Sequence, residues 1–85
     1  MKVIRFIANA ALDSIKLSTK YRSLIPRPSS EQLLNLSKDI EERGVKIPLL
    51  VNPSMLLIDG YTRYDITKQQ SSLGKEIRFR ALRVL

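Results

Sequence analysis

The sequence predicts a small α/β domain in which two main helices pack against a small sheet. The chain has 85 residues, of which 44% are hydrophobic and 27% are charged, and this balance is typical of a globular domain. Two segments of helical character lie between short apolar runs that suit strands. A chain of this length buries only about 60–65% of its unfolded surface, so residues 1–85 are expected to form a single domain.

The first residues carry the least regular pattern. Apolar side chains at residues 3–7 predict a strand, and residues 8–12 predict a short helical segment. Residues 13–17 alternate between polar and apolar side chains, which predicts a second short strand. The stretch 1–14 is therefore interpreted either as a strand or as an N-terminal extension of the domain.

A long helix is predicted from about residue 30 to residue 43. Two prolines disfavour helix over residues 24–28, which are expected to be extended. Ser29 is then a favourable N-cap, and Gln32 three residues later completes a capping box. Gly44 is the expected stop signal.

The second half of the chain predicts a hairpin, a helix and a final strand. Residues 48–51 and 55–58 are apolar runs separated by the turn residues 52–54. Residues 61–72 contain neither Gly nor Pro and predict a helix. Residues 78–85 alternate arginine with apolar side chains and predict the last strand.

The charge balance indicates an anionic partner. The chain has fifteen Lys and Arg residues and eight Asp and Glu residues, which gives a net charge of +7. A surplus of this size in a small domain points to nucleic acid, nucleotide phosphate or an acidic protein. The predicted nucleic-acid contacts are Lys20, Arg22, Arg27, Arg78 and Arg80.

Composition also excludes several chemistries. The chain has no Cys and no His, so disulfides, thiol nucleophiles, zinc sites built from Cys or His, and imidazole catalysis are all ruled out. No apolar stretch reaches the 18 or so residues of a membrane span. The expected location is therefore the cytoplasm, with no membrane partner.

The most informative stretch is the predicted junction between a strand and a helix at Gly60. Unpaired N–H groups and the positive end of the helix dipole make the first turn of a helix a natural phosphate site. Gly60 would let an anion approach the backbone at Tyr61, and Thr62 would add a hydroxyl donor. Arg63 would add a charged fork that can hold a phosphate through two hydrogen bonds.

Arg63 is unusual at this place, because its charge opposes the helix dipole. A bound phosphate would explain its presence. The alternative interpretation is that Arg63 forms a surface ion pair with Asp59 or Asp65.

Two stretches of the sequence carry a family resemblance, Gly44-Val45-Lys46-Ile47-Pro48-Leu49-Leu50-Val51 and Ile58-Asp59-Gly60-Tyr61-Thr62-Arg63-Tyr64. Together they resemble the ParB/sulfiredoxin superfamily, and in particular its stand-alone ParB-like N-terminal domains, often described as ParB-like nucleases. They are similar to the family's proline-containing strand and to its strand that ends in Asp-Gly-x-x-Arg. The resemblance covers roughly residues 15–85.

This resemblance implies a small mixed, twisted sheet with two main helices. It implies DNA binding, or DNA-linked regulation, by a domain from a plasmid, virus or other mobile element, including plasmid partition. It also implies that Gly60, Tyr61, Thr62 and Arg63 bind phosphate, with CTP or ATP and Mg²⁺ as the nucleotide cofactor. A homodimer is an open alternative to a monomer.

The sequence departs from the family pattern within this phosphate box. Partition proteins typically read Gly-Glu-Arg-Arg, whereas this chain lacks the acidic residue and the first arginine. Sulfiredoxins place their catalytic Cys where Tyr61 stands, so peroxiredoxin repair is excluded. Full partition proteins carry a helix-turn-helix and a dimerisation domain as well, which leads us to expect a stand-alone domain here.

Other functions remain open at this point, although a non-enzymatic domain is expected. A metal-dependent nuclease would need converging carboxylates, for which Asp59 and Asp65 are the candidates. A nucleotide-using phosphotransferase and a module for binding an acidic protein are the further alternatives. Tyr21, Tyr61 and Tyr64 could stack on bases or simply pack in the core.

Overall fold

A mixed four-stranded sheet organises the fold. The computed structural model describes residues 2–7 and 12–83. In chain order, the elements are β1 (Lys2–Ile7), a short 3-10 helix (Leu12–Ser14), α1 (Thr19–Ser23), α2 (Ser30–Arg43), β2 (Leu49–Val51), β3 (Leu57–Asp59), α3 (Tyr61–Ser72) and β4 (Arg78–Arg83). The predicted α/β class with two main helices is confirmed.

Strand β4 lies inside the sheet and gives it its mixed character. The strand order is β1-β4-β2-β3. β4 runs antiparallel to β1, where Lys2 pairs with Arg83, and parallel to β2, where Leu50 pairs with Leu82. β2 and β3 form the predicted antiparallel hairpin. The C-terminal strand prediction is confirmed for residues 78–83, and residues 84 and 85 lie outside the described residues.

The core lies between one face of this sheet and the helices. Because neighbouring side chains in a strand point to opposite faces, Phe79 and Ala81 of β4 are buried, whereas Arg78 is exposed and Arg80 is half-buried. The buried core residues are Leu12, Ile15, Ile40, Val45, Leu49, Val51, Leu57, Tyr61, Tyr64, Ile66, Ile77, Phe79 and Ala81. Arg78 and Arg80 therefore lie on the face away from the helices.

Helix α2 begins and ends as its sequence signals predict. The Ser29 hydroxyl accepts a hydrogen bond from the Gln32 backbone N–H at 3.2 Å, and the Gln32 side chain accepts one from the Ser29 N–H at 2.9 Å. The helix ends at Gly44, which has a φ of 77°. A Cβ there would lie 2.8 Å from the carbonyl oxygen of Arg78, so this position requires glycine.

The segment before α2 differs from its prediction. The predicted strand at residues 13–17 is wrong, because Leu12–Ser14 forms a 3-10 helix and only Lys16 makes a bridge, to Leu56. Helix α1 was not predicted. It begins at Ser18, whose hydroxyl accepts a hydrogen bond from the Tyr21 N–H at 3.3 Å. Of the predicted helical segment 8–12, residues 8–11 lie outside the described residues.

The hairpin turn explains why β3 begins later than predicted. The side-chain oxygen of Asn52 accepts hydrogen bonds from the N–H groups of Ser54 and Leu56, each at 2.9 Å. Met55 adopts a φ of 67°, which is not a strand conformation. The strand therefore starts at Leu57.

Within the described residues, no helix is both long and apolar enough to cross a membrane.

Candidate functional site

The first turn of α3 begins at a glycine that the fold itself requires. Gly60 has a φ of 99° and a ψ of 24°, in the left-handed region, and no side chain caps the helix. A Cβ on Gly60 would lie 2.6 Å from Cδ2 of Leu49, and real atoms do not approach so closely. Gly60 is thus needed for packing, independently of any ligand. The uncapped turn still presents backbone N–H groups and the positive end of the helix dipole.

Tyr61 is a structural residue through its side chain. Its ring is buried, and its hydroxyl donates to the Leu57 carbonyl at 2.7 Å and accepts from the Ser18 N–H at 2.9 Å. These bonds connect the first residue of α3 to the first residue of β3 and to the N-cap of α1. The ring of Tyr64 is buried as well, so these two tyrosines pack in the core and do not present their rings for base stacking.

Thr62 and Arg63 point to different sides of α3. Thr62 lines an open groove beside the helix. Arg63 does not line this groove; its Nη2 lies 3.4 Å from the position that a Cβ on Gly60 would take. The Nε atom of Arg63 is buried and has no hydrogen-bond partner among the described residues.

Arg63 forms no ion pair within residues 2–7 and 12–83. The alternative interpretation that pairs Arg63 with Asp65 is wrong, because the carboxylate of Asp65 is bound by Arg22. The charge of Arg63 therefore stands without a carboxylate partner in the described part of the chain.

A groove lies beside α3, next to the predicted site. It has a volume of about 800 Å³ and lies between α1, the connecting residues 25–28, α2 and α3. The prediction that residues 24–28 are all extended is wrong at Leu24, which ends α1 in the right-handed helical region with a ψ of −8°. Its apolar wall includes Ile25 and Leu33, and its polar groups include Arg22, Arg27, Thr62 and Asp65. Volumes of roughly 300–1,000 Å³ are usual for ligand sites.

Arg22 and Asp65 form a two-point ion pair across this groove. Nη1 of Arg22 lies 2.6 Å from Oδ2 of Asp65, and Nη2 lies 3.0 Å from Oδ1. The guanidinium carbon also lies 4.8 Å from the centre of the Tyr61 ring. The hydrogen bonds that Arg22 donates to Asp65 raise the pKa of Arg22 above its ordinary value. No sequence signal indicated this pairing, because the two residues are 43 positions apart.

The predicted nucleic-acid contacts fall into two separate groups. Arg22 and Arg27 line the groove together with Thr62, and Lys20 is exposed in α1. Arg78 and Arg80 lie on the opposite face of the sheet, where Nη2 of Arg80 donates to the Lys46 carbonyl at 3.0 Å. The two groups of cations do not form one surface.

The carboxylates considered for a nuclease do not form a cluster with a third acidic residue. Asp65 is bound by Arg22, and Asp59 is exposed at the end of β3. Among residues 2–7 and 12–83, no three Asp or Glu side chains lie close enough together to hold a metal ion.

Two solved structures share this fold along the whole chain. One is the C2221 form of a pNOB8-like ParB N-domain, with a TM-score of 0.66 and 24% sequence identity. The other is a pNOB8-like ParB N-domain with a TM-score of 0.63 and 27% identity. This chain spans 32% and 30% of the lengths of those two chains. No protein-family model and no curated protein sequence matches.

Proposed function

We propose that this chain, which has the fold of a ParB N-domain, is a DNA-binding or DNA-linked regulatory domain that contacts phosphate groups at the first turn of α3 and in the adjoining groove. One observation carries the proposal. The uncapped turn after Gly60 opens, through Thr62, onto a groove whose cations are Arg22 and Arg27.

The chemistry of this surface suits a phosphate backbone. Backbone N–H groups at a helix N-terminus favour anions, and the Thr62 hydroxyl adds a donor beside them. Arg27 is exposed and has no ion pair among the described residues, and Lys20 is exposed in α1, the helix that carries Arg22. Arg78 and Arg80, on the opposite face, would contact nucleic acid only as a second site.

The fold relation supports a role linked to DNA partition. The two similar structures are named as ParB N-domains. We extend that role to this chain as a proposal, together with an origin in a plasmid, virus or mobile element and a cytoplasmic location. A homodimer would double the number of phosphate contacts, and sedimentation velocity would detect it.

A nucleotide is the second candidate ligand, because the groove has the volume of a small-molecule site. CTP or ATP would place its phosphates near Thr62 and Arg22. Mg²⁺ usually binds to phosphate oxygens and water with only one or two carboxylates. Asp65 is the carboxylate that lines the groove, and Arg22 holds it. Any Mg²⁺ would therefore be held mainly by the nucleotide itself.

Anisotropy with a labelled duplex tests the DNA proposal. The logarithm of affinity should fall linearly with the logarithm of salt concentration, with a slope of roughly −3 to −6 for a handful of phosphate contacts. Arg27→Ala should make the slope shallower by about 0.9, the value for one lost contact. Lys38→Ala removes an equal charge from the exposed surface of α2 and should leave the slope nearly unchanged.

Calorimetry with CTP and ATP, with and without Mg²⁺, tests the nucleotide candidate separately. Binding of a nucleotide without binding of DNA would favour the second function over the first. Absence of binding to either ligand at about 50 mM salt, where phosphate contacts are strong, would overturn both and favour an acidic protein partner.

A further inference from the structure

We propose that Asp65 is a built-in competitor of the anionic ligand, and that a phosphate group binds in the groove by replacing the Asp65 carboxylate on Arg22. This inference rests on the proposed phosphate-binding function. It assigns Arg22 as the residue that receives the phosphate and Asp65 as the residue that limits its affinity.

The geometry of the pair is the basis of the inference. Nη1 and Nη2 of Arg22 both donate to the carboxylate, at 2.6 and 3.0 Å. Arginine uses the same pair of donors to hold phosphate. A phosphate and the Asp65 carboxylate therefore compete for one site on one guanidinium.

The pair is exposed enough for this exchange to occur. The side chains of Arg22 and Asp65 are 42% and 51% exposed. Ion pairs this accessible to water contribute little to folding stability. Displacement of the Asp65 carboxylate from Arg22 by a phosphate therefore costs little folding free energy. Both residues also line the groove, so an anion reaches them from solvent.

The ring of Tyr61 keeps Arg22 in place during such an exchange. The guanidinium carbon lies 4.8 Å from the ring centre, a distance at which a cation is attracted to the face of the ring. The ring is itself held by the hydrogen bonds of its hydroxyl to Leu57 and Ser18. Arg22 is thus positioned in the groove by a contact that does not depend on Asp65.

The opposing interpretation is that the pair merely connects α1 to α3. In that case, loss of the carboxylate would affect stability and would not favour ligand binding in particular. The chain offers a matched control, because Asp39 pairs with Arg43 on the surface of α2 at 3.0 Å. Asp65→Asn and Asp39→Asn each break an arginine–aspartate pair and raise the net charge by the same amount.

The experiment measures binding of a labelled duplex to the wild type, Asp65→Asn, Asp65→Ser and Asp39→Asn at fixed salt. Both Asp65 variants should bind about fivefold more tightly than Asp39→Asn, the factor that corresponds to the upper end of about 1 kcal/mol for an exposed ion pair. The advantage should vanish when Arg22→Ala is combined with Asp65→Asn. The same series is repeated with CTP if the duplex does not bind.

Equal gains for the Asp65 and Asp39 variants would overturn the inference while leaving the proposed function intact. Weaker binding by Asp65→Asn, with an unchanged melting temperature, would overturn it too. If no protein in the series binds either the duplex or CTP, the proposed function itself fails.

Discussion

The side chain of Leu49 occupies the space beside Gly60 in which any Cβ would have to lie. The distance from the ideal Cβ position to Cδ2 of Leu49 is 2.6 Å, and the left-handed φ of 99° adds a second reason for glycine. The turn that starts α3 is therefore built on direct packing between β2 and the residue before the helix. This relation makes the start of α3 sensitive to a single methyl group.

Gly60→Ala should lower stability by more than the cost of the backbone conformation alone. A non-glycine residue in the left-handed region costs about 1–3 kcal/mol, and displacement of Leu49 adds to this. Gly74→Ala is the matched control, because Gly74 has a φ of 88° and no atom within 4 Å of its Cβ position. Urea unfolding of both variants isolates the packing component; equal losses would contradict the role of Leu49.

Tyr61→Phe should destabilise the protein by about 1–3 kcal/mol, the penalty for leaving buried polar groups without partners. The Leu57 carbonyl and the Ser18 N–H would lose the hydroxyl at 2.7 and 2.9 Å. Tyr64→Phe serves as control, because Tyr64 is a buried tyrosine of the same helix. A melting curve records both changes. An equal fall in melting temperature for both variants would show that the hydrogen bonds of the Tyr61 hydroxyl add no particular stability.

Arg63→Ala should weaken binding of the anionic ligand by about 1.5–3 kcal/mol, the range for a hydrogen bond to a charged group. Stability should stay the same or rise slightly, because the arginine opposes the dipole of α3 and has no ion pair in the described part of the chain. Anisotropy and thermal unfolding on the same variant measure the two effects. Clear destabilisation with unchanged affinity would refute the assignment of Arg63 to the site.

Ser29→Ala should lower stability by about 1 kcal/mol, as expected for a lost N-cap. The capping box joins Ser29 and Gln32 through two hydrogen bonds at 3.2 and 2.9 Å. Gln32→Ala removes only the second bond and should have a smaller effect. Duplex binding should be unaltered in both variants, and a loss of binding would show that the start of α2 belongs to the interface.

Helix caps and turns that depend on neighbouring residues were predictable from the sequence. The capping box at Ser29, the stop at Gly44 and the hairpin turn at Asn52 each depend on side chains within a few positions of one another. The strand prediction for residues 13–17 is wrong because alternation indicates a half-buried strand only when the alternate apolar side chains share one buried face. In the structure Ile15 is buried, but Leu17 is 46% exposed.

The candidate site was only partly predictable, because its arrangement depends on contacts between distant residues. The start of α3 at Gly60 was predictable, but the groove that Thr62 lines is formed with residues of α1, of the segment 25–28 and of α2, which are distant from it in sequence. Helix α1 has five residues, too few to produce a periodic pattern. The bond from Arg22 to Asp65 spans 43 positions, and nothing in the local sequence of either residue indicates it.

The arginines on the far face of the sheet also bear on how the protein behaves when concentrated. Arg78 is exposed and Arg80 is half-buried on this face. Two half-buried apolar side chains, Leu50 and Leu82, are adjacent in the parallel pairing of β2 and β4. If two molecules met through this face, their guanidinium groups would be forced together and would repel. Charged side chains on a sheet act in this way as protection against aggregation. Replacing both arginines with serine should therefore lower the protein concentration at which aggregation begins. Light scattering measured against protein concentration would detect this change.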